Sequence, residues 1–382
     1  MQGFKAEQAR AIAALRWKAL PKPDGREEWI QRAREASSNL KIDAVERDSA
    51  SKAPFPEVQL LKDAELVNLL GPRKYGGAGE AWQTSYTDAS IGHLLGNHFR
   101  GMSKFWSSQI LGTPKQTERW LREFTEGNYC LGGAVNPRNA AIVAEDAGLD
   151  LVFNGDKFFS RGGVISDITV LESVLQHGTH VFAYVPTKRP GVTFKGDWDV
   201  IGQRLTESGG CVINNVKVPW SEAAGFVDKK LTTRDVYHDF ISPRVQLQFA
   251  AVYIGAATGA LETAAEYTRT RTRTWSYEGY GRLQAKIWAT EALVDRTAER
   301  VSEAIHAPRE TLTKDTRGKL AVQVAASKSQ AMETALEVSS KIFEFVGASG
   351  SLSKYGFDRF WRNTRVHSLH DPISYKFREV GP

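Results

Sequence analysis

The sequence has little cysteine: its two thiols, Cys130 and Cys211, lie far apart. Two cysteines are too few for a disulfide framework or a zinc site of four cysteines. No stretch approaches the roughly 20 uninterrupted apolar residues of a membrane span. The N-terminal segment carries charges inside its apolar run, unlike a secretory signal. These absences predict a cytoplasmic protein with reduced thiols and no membrane contact.

Charge is not concentrated in any part of the chain. Its 50 basic and 44 acidic side chains give a net charge of +6 that is spread over the whole length. Nucleic-acid-binding proteins typically cluster their basic residues, so we expect no nucleic-acid partner. A nicotinamide-binding signature is missing too, because GGAGEA at 76–81 lacks both the GxGxxG spacing and a GK[ST] ending. That run is typical of a connector.

The pattern along the chain changes twice. Helical periodicity over the first part is interrupted by PKPDG at 21–25. Short runs rich in β-branched and aromatic residues then indicate antiparallel strands, and long alanine-rich periodic segments predict bundle helices. We therefore predict a mostly α, α+β protein with an N-terminal helical domain at 1–126, a middle antiparallel β domain at 127–234 and a C-terminal four-helix bundle at 235–382.

Four segments carry a resemblance to a known family. LLGPRKYGGAGEAW at 69–82, together with the order of helices, strands and helices, resembles the acyl-CoA dehydrogenase superfamily. FNGDKFFSRGG at 153–163, WDVIGQRLTESGGCVINNVKVP at 198–219 and DRFWRNTRVHSLHDP at 358–372 resemble its flavin-dependent monooxygenase branch. The resemblance implies an acyl-CoA dehydrogenase-like fold, a homotetramer, and reduced FMN supplied by a separate NAD(P)H:flavin reductase.

The resemblance also implies a reaction. The dehydrogenases use a glutamate base near the C-terminus, and the corresponding segment here, LHDPISYK at 369–376, has none. A YEG at 277–279 lies in a predicted loop. We therefore expect a two-component monooxygenase that uses O2, through a C4a-hydroperoxyflavin, to oxygenate a small hydrophobic substrate that is aromatic or contains sulfur or nitrogen. An FAD-dependent dehydrogenase or oxidase and a scaffold that has lost its flavin remain open alternatives.

Histidines are the main catalytic candidates. An imidazole has an unperturbed pKa of about 6.5, so it can give up and regain a proton near neutral pH. The resemblance implies that His370 supplies this proton, that His367 orients it or contacts the substrate, and that His98 and Phe99 line the substrate pocket. A hydrogen-bonded structural role is the alternative for each histidine. Metal binding would need more ligands than Asp371 adds, so we predict no metal.

Further flavin contacts are implied in the β domain. Ser160 falls where a hydroxyl contacts the flavin ring near N5 and O4, and a serine there would stabilise the oxygen adduct through one hydrogen bond. Phe158 falls where an aromatic ring lies against the flavin. Asn136 would lie along the flavin edge, and Trp198 would line its pocket. A loop or core role is the alternative at each position.

The flavin phosphate would be held at the other end of the cofactor. The densest basic run, TRTRTRTW at 268–275, contains Arg273, which by resemblance reaches the phosphate of a neighbouring subunit's flavin with its forked donors. A solvated charged face is the alternative. Ser349, Ser351 and Lys354 would complete the phosphate site, because small residues let backbone N–H groups approach closely. An arginine expected near Ser349 is absent.

Overall fold

The computed structural model describes residues 2–78, 88–102, 112–135, 141–176, 178–232, 236–269 and 277–381. Helices dominate the part that precedes the first strand. They are α1 (Gln2–Ala19), α2 (Arg26–Lys41), α3 (Ala44–Ala50), α4 (Phe55–Asp63), α5 (Ala89–Met102) and α6 (Pro114–Glu126). The predicted break at 21–25 separates α1 from α2. None of the described helices is long and apolar enough to cross a membrane.

Helix α6 shows why a helix begins where it does. Thr113 precedes it, and its hydroxyl accepts a hydrogen bond from the backbone N–H of Gln116 while the Gln116 side chain accepts one from the backbone N–H of Thr113. This capping box satisfies two backbone donors that have no partner inside the helix. Pro114 follows at the first helical position, where its missing N–H costs nothing.

The strands form one large sheet and a small hairpin. They are β1 (Leu131–Ala134), β2 (Ile142–Ala147), β3 (Asp150–Lys157), β4 (Ile168–Val174), β5 (His180–Pro186), β6 (Val192–Phe194), β7 (Cys211–Pro219), β8 (Phe226–Val227) and β9 (Lys230–Leu231). The sheet order is β1-β4-β2-β3-β7-β6, with β5 also paired to β4, and β8 pairs only with β9.

The predicted antiparallel sheet is in fact mixed. The pairs β2–β3, β3–β7, β4–β5 and β6–β7 are antiparallel, but β1 and β2 each pair with β4 in parallel. A parallel pair needs a crossover connection, and the chain makes this crossover between β1 and β4 through β2 and β3. The prediction was wrong on this point because strand periodicity identifies a strand and not its partner.

Five helices follow the sheet: α7 (Ile241–Arg269), α8 (Tyr277–His306), α9 (Lys314–Val346), α10 (Asp358–Ser368) and α11 (Ile373–Val380). Three are long, and α10 and α11 are short helices that pack on α9, so the bundle is less regular than four equal helices. The segment YEG opens α8 instead of lying in a loop. The division into three domains at 126 and 234 stays a prediction.

The helices after β9 pack directly against the sheet. Leu131 of β1 and Val170 of β4 belong to the same buried cluster as Phe249 and Tyr253 of α7. Alanines on α7 and α9 are fully buried, including Ala257, which lets the two helices approach closely. The seam between β1, β4 and α7 therefore holds side chains from both parts of the chain.

A buried ion cluster holds the first helices to α5. The guanidinium of Arg47 pairs with Asp43, with Glu57 at 3.5 Å and with Asp88 at 3.0 Å, and its side chain is 9% exposed. Arg10 joins the cluster, 2.7 Å from Asp43. Buried carboxylates of this kind are tolerated only while their cations remain.

We expect Arg47→Ala to lower the free energy of unfolding by about 3 to 5 kcal/mol, because three buried carboxylates lose their common cation. Urea denaturation measures this. The matched control is Arg296→Ala, which removes a pair with Glu299 whose two side chains are 67% and 63% exposed and should cost less than about 1 kcal/mol. Equal losses in the two variants would contradict the importance of the buried cluster.

Candidate active site

An aromatic surface forms where the chain leaves β3. Phe158 and Phe159 are 42% and 54% exposed, and their ring centroids lie 4.9 Å apart. The ring of Trp198 lies 6.2 Å from Phe158 and 6.1 Å from Phe159, and its indole N–H donates to the carbonyl of Gln203 at 2.9 Å. We call Phe158, Phe159 and Trp198 the aromatic wall. Together they form an apolar surface on which a planar ring can lie.

Backbone strain accompanies this surface. Phe159 has a φ of +67°, a left-handed conformation that a bulky non-glycine residue rarely adopts. The next residue turns inward: Ser160 is 1% exposed, and its hydroxyl donates to the carbonyl of Gly209 at 2.6 Å. The Ser160 backbone N–H donates to the same oxygen at 3.0 Å. Its hydroxyl proton is therefore engaged within the β domain.

Arg161, not Ser160, extends from this strand end to the C-terminal histidines. Its Nη1 lies 2.7 Å from Nε2 of His370. A guanidinium can only donate, so Nε2 of His370 must accept, and the neutral ring carries its proton on Nδ1. The exposed imidazole of His370 is thus held in one tautomer by a residue of the β domain.

Behind His370 lies a buried cluster of rings. His367 is 3% exposed, and its centroid lies 4.3 Å from His93, 4.7 Å from Phe249 and 4.9 Å from Tyr253. Neither ring nitrogen of His367 has a hydrogen-bond partner among the described residues. Burial, reinforced by His93 and His370, holds the pKa of His367 well below its usual value. His367 is therefore neutral at physiological pH.

The turn after His370 is anchored by ion pairs. The carboxylate of Asp371 lies 3.2 Å from Nζ of Lys328 on α9 and 3.1 Å from Nζ of Lys376 on α11. Burial lowers the pKa of Lys328 to about 8 despite the attraction of Asp371. Burial alone would raise the pKa of Asp371, but the two lysines outweigh it and lower that pKa. Asp371 is thus an ionised anchor.

His98 does not face this cluster. Its Nε2–H donates to the carbonyl of Val67 at 2.6 Å, and its Nδ1 accepts from the backbone N–H of Leu131 at 3.0 Å. The ring is fully buried, which lowers its pKa to about 4. Both nitrogens are used by the backbone, so this geometry favours the structural alternative over a substrate contact. The half-buried ring of Phe99 packs against the N-terminal core.

The predicted phosphate ligands lie elsewhere on the surface. Ser349 and Ser351 are exposed on a single 3-10 turn, and the Ser351 hydroxyl donates to the carbonyl of Ala348 at 2.7 Å. Nζ of Lys354 lies 5.0 Å from the ring centroid of Tyr355. The role of this turn at the phosphate stays a prediction.

Two further candidates, Asn136 and Arg273, lie outside the described residues, and their roles stay predictions. A cavity of about 650 Å³ opens between α7 and α8 and is lined in part by Arg269, Tyr277 and Tyr280. In sequence it borders the segment that carries Arg273. No group of three or more histidine, cysteine, aspartate or glutamate side chains among the described residues is arranged to hold a metal ion.

Sequence reasoning missed Arg161, His93 and Tyr253. Arg161 lies inside the SRGG motif, but nothing in the pattern says that its side chain extends to a histidine 209 residues away. His93 and His98 both lie on α5, and only packing shows that His93 contacts His367. Tyr253 lies in an apolar helical stretch, where a tyrosine looks like any core residue.

Comparison with known proteins identifies the family. Residues 247–375 match the model of the acyl-CoA dehydrogenase C-terminal domain. The chain is 37% identical to dibenzothiophene monooxygenase of Mycolicibacterium goodii, over 92% of both chains. This chain belongs to the flavin-dependent monooxygenase family with the acyl-CoA dehydrogenase fold. The resemblance and the fold class expected from the sequence are thereby confirmed.

Solved structures agree with this family assignment. Methanesulfinate monooxygenase from Pseudomonas fluorescens superposes with a TM-score of 0.85 at 30% identity, over 92% of this chain and 95% of that one. FMN-bound dibenzothiophene monooxygenase from Paenibacillus sp. A11-2 gives 0.82 at 31% identity, over 93% and 96%. The expectation of a flavin enzyme that uses FMN is confirmed.

The described residues fit a flavin ring. The aromatic wall offers exposed apolar rings. His367, with two unpartnered ring nitrogens, and Tyr253, whose hydroxyl has no partner among the described residues, leave buried polar atoms unsatisfied. Such atoms are uncommon in folded proteins and are typical of a site that a ligand completes.

The buried state of His98 predicts how stability depends on pH. The unfolded imidazole takes up a proton at about pH 6.5, whereas the folded one does so only at about 4. Between these values the unfolded state binds more protons, so stability is full above the unfolded pKa and falls as the pH drops. The loss should reach about 3 kcal/mol. Urea denaturation of His98→Gln should show correspondingly less dependence on pH.

The exposed His306 on α8 provides the control, and His306→Gln should retain the pH dependence of the unaltered protein. Parallel curves for His98→Gln and the unaltered protein between about pH 7 and about pH 4 would show that His98 is not the group responsible.

Proposed function

We propose that this protein is the oxygenase component of a two-component system. It takes reduced FMN from a separate NAD(P)H:flavin reductase and uses O2 to oxygenate a small substrate. The observation that carries the proposal is the hydrogen bond by which Arg161 holds His370 in one tautomer. The similarity of this chain to flavin-dependent monooxygenases gives that contact its functional meaning. A probable FMNH2-dependent monooxygenase of Pseudomonas putida is 29% identical over 91% of this chain. When bound, reduced FMN supplies the electrons that activate O2.

The chain itself orients the cofactor and supplies a proton. Phe158 and Trp198 would lie against the flavin ring and exclude water from it, which protects a reactive site from wasteful release of hydrogen peroxide. His370, which is exposed, would take up a proton from solvent at Nε2 and so release Arg161, and the resulting imidazolium would donate a proton as a general acid. His367 stays neutral, so it adds no positive charge beside His370. We propose that it orients the substrate.

Ser160 is proposed to contact the cofactor in a more limited way. Its hydroxyl donates its only proton to Gly209, so the oxygen has lone pairs to offer and no proton. In this arrangement it would accept a hydrogen bond from the flavin ring. Stabilising an oxygen adduct by donation would require the hydroxyl to turn away from Gly209.

The dehydrogenase alternative lacks a base in the described site. Abstraction of a proton next to a thioester requires a carboxylate that can accept a proton near neutral pH. The acid in the corresponding segment, Asp371, is paired with two lysines that lower its pKa. No specific observation therefore favours the dehydrogenase over the monooxygenase.

We further propose that the protein assembles as a homotetramer in the cytoplasm. Large apolar side chains are exposed on α8, where Trp288 is 64% and Leu293 is 39% exposed. A partner copy would cover them and bring the segment with Arg273 to a neighbouring flavin. Both cysteines are buried free thiols, as expected for a reducing compartment.

The proposed substrate is a small compound that contains sulfur. One similar protein is named for dibenzothiophene and another for methanesulfinate. Both compounds contain sulfur, and we propose a sulfur-containing substrate for this chain as well. The cluster around His367 combines rings with polar atoms, which suits a compact substrate with both apolar and acceptor groups.

We expect His370→Phe to leave folding and FMN affinity nearly unchanged while lowering product formation about 100-fold or more, as loss of a general acid typically does. The assay supplies reductase, NADH and FMN, offers dibenzothiophene, indole or methanesulfinate, and measures product and hydrogen peroxide per NADH consumed. NADH oxidation should continue and end as peroxide. His306→Phe, at an exposed position on α8, is the matched control and should behave like the unaltered protein. Unchanged product formation in His370→Phe would remove His370 from the mechanism.

A further inference from the structure

Arg161 is a buried cation without a carboxylate partner. Its residue is 8% exposed, and none of the described carboxylates forms an ion pair with it. Burial accordingly lowers the pKa of the guanidinium to about 10. Buried arginines are normally paired, since an isolated charge is costly to remove from water. A position of this kind indicates a missing anion.

The free edge of the guanidinium is the one suited to an anion. Nη1 is engaged by His370. Nε has no hydrogen-bond partner among the described residues, and Nη2 reaches only the carbonyl of Val135, at the long distance of 3.5 Å. Nε and Nη2 together form one edge of the planar fork, and two parallel N–H groups match two oxygens of a carboxylate or sulfinate.

The neighbouring groups lack an acceptor as well. The Tyr253 hydroxyl and the His367 ring are 1% and 3% exposed, and neither has a hydrogen-bond partner among the described residues. Phe249 connects them to the arginine side of the site, with its centroid 4.7 Å from His367 and 5.1 Å from His370. The acid next in sequence, Asp371, already pairs with Lys328 and Lys376. Besides Nε of Arg161, the Tyr253 hydroxyl and the one N–H of the neutral His367 ring are thus donors without an acceptor among the described residues.

We propose that Arg161 makes this site selective for a small substrate with an anionic acid group, a sulfinate or a carboxylate. Two acid oxygens accept from Nε and Nη2 of Arg161, while Nη1 stays on His370. The inference rests on the proposed function and specifies its substrate class. An uncharged aromatic compound would bury the same donors unpaired, and a site built for hydrogen bonds rejects a ligand that lacks them.

A second source of negative charge is the reduced flavin itself. The acid group of a substrate and the reduced flavin ring both carry a delocalised negative charge on oxygen or nitrogen. The test must therefore separate these two anions. Binding of small acids and binding of FMN are therefore measured independently, and neither measurement requires turnover.

The test compares charged probes with neutral ones of the same shape. Methanesulfinate and dimethyl sulfoxide form one pair, benzoate and benzamide a second, and indole is a neutral aromatic control. Affinities are measured by calorimetric titration of this chain with FMN absent and, under anaerobic conditions, with reduced FMN present. The variants are Arg161→Met, which removes the charge, Arg161→Lys, which keeps it without the fork, and Arg296→Met as an exposed control on α8.

We expect at least one acid to bind about 10-fold or more tightly than its neutral partner, and Arg161→Met to lose that preference while indole affinity does not fall. Arg161→Lys should recover part of it, and Arg296→Met should match the unaltered protein. Equal affinities for acids and neutral partners would overturn the proposal. So would a loss of FMN affinity in Arg161→Met with acid binding intact, which would assign the charge to the flavin. Failure of the oxygenase assay with every substrate would instead reject the proposed function and leave these affinities unaffected.

Discussion

The position of His370 depends on the pairing of Asp371 with Lys328 and Lys376. The carboxylate and both ammonium groups are largely buried, so each is stable only while the others are present. The two lysines lie on different helices, α9 and α11, and Asp371 precedes the proline that opens α11. The cluster therefore fixes the turn between α10 and α11. Because His370 directly precedes Asp371, its backbone is placed by the same turn. The anchor places the backbone of His370, and the hydrogen bond from Arg161 orients its ring.

Charge is distributed unevenly around the site. The inner ring, His367, is held neutral by burial, and the cations of Lys328 and Arg161 lower its pKa further. Because a low-dielectric interior strengthens each of these fields, both cations disfavour a proton on His367. The fold thus places the exposed ring of His370 next to one neutral ring, His367, and in contact with one cation, Arg161.

Much of the fold was accessible from sequence, for reasons that particular residues show. The prolines and glycine at 21–25 must end a helix, and the alternating runs such as CVINNVKVPW must be strands, so the elements were predictable locally. The strand partners could not be predicted, because the parallel pairing of β1 with β4 joins segments that lie far apart in the sequence. The same limit applies to the site. His367 and His370 were found through a motif, but the contacts of His370 with Arg161 and of His367 with His93 come from three separate elements. His98 was assigned to the pocket by resemblance, and its two hydrogen bonds to backbone groups, which favour the structural alternative, have no sequence signature.

The left-handed backbone of Phe159 has an effect beyond local strain. In a regular strand successive side chains point to opposite faces, and Phe158 and Phe159 would then be separated by the sheet. The positive φ breaks that alternation, so both rings lie together, Ser160 turns into the β domain and Arg161 crosses to the helices. One dihedral angle therefore sorts four consecutive residues into three environments: an exposed aromatic surface, the interior of the β domain and the contact with His370. The direction of Arg161, and with it the tautomer of His370, is thus set by the backbone two residues earlier in the chain.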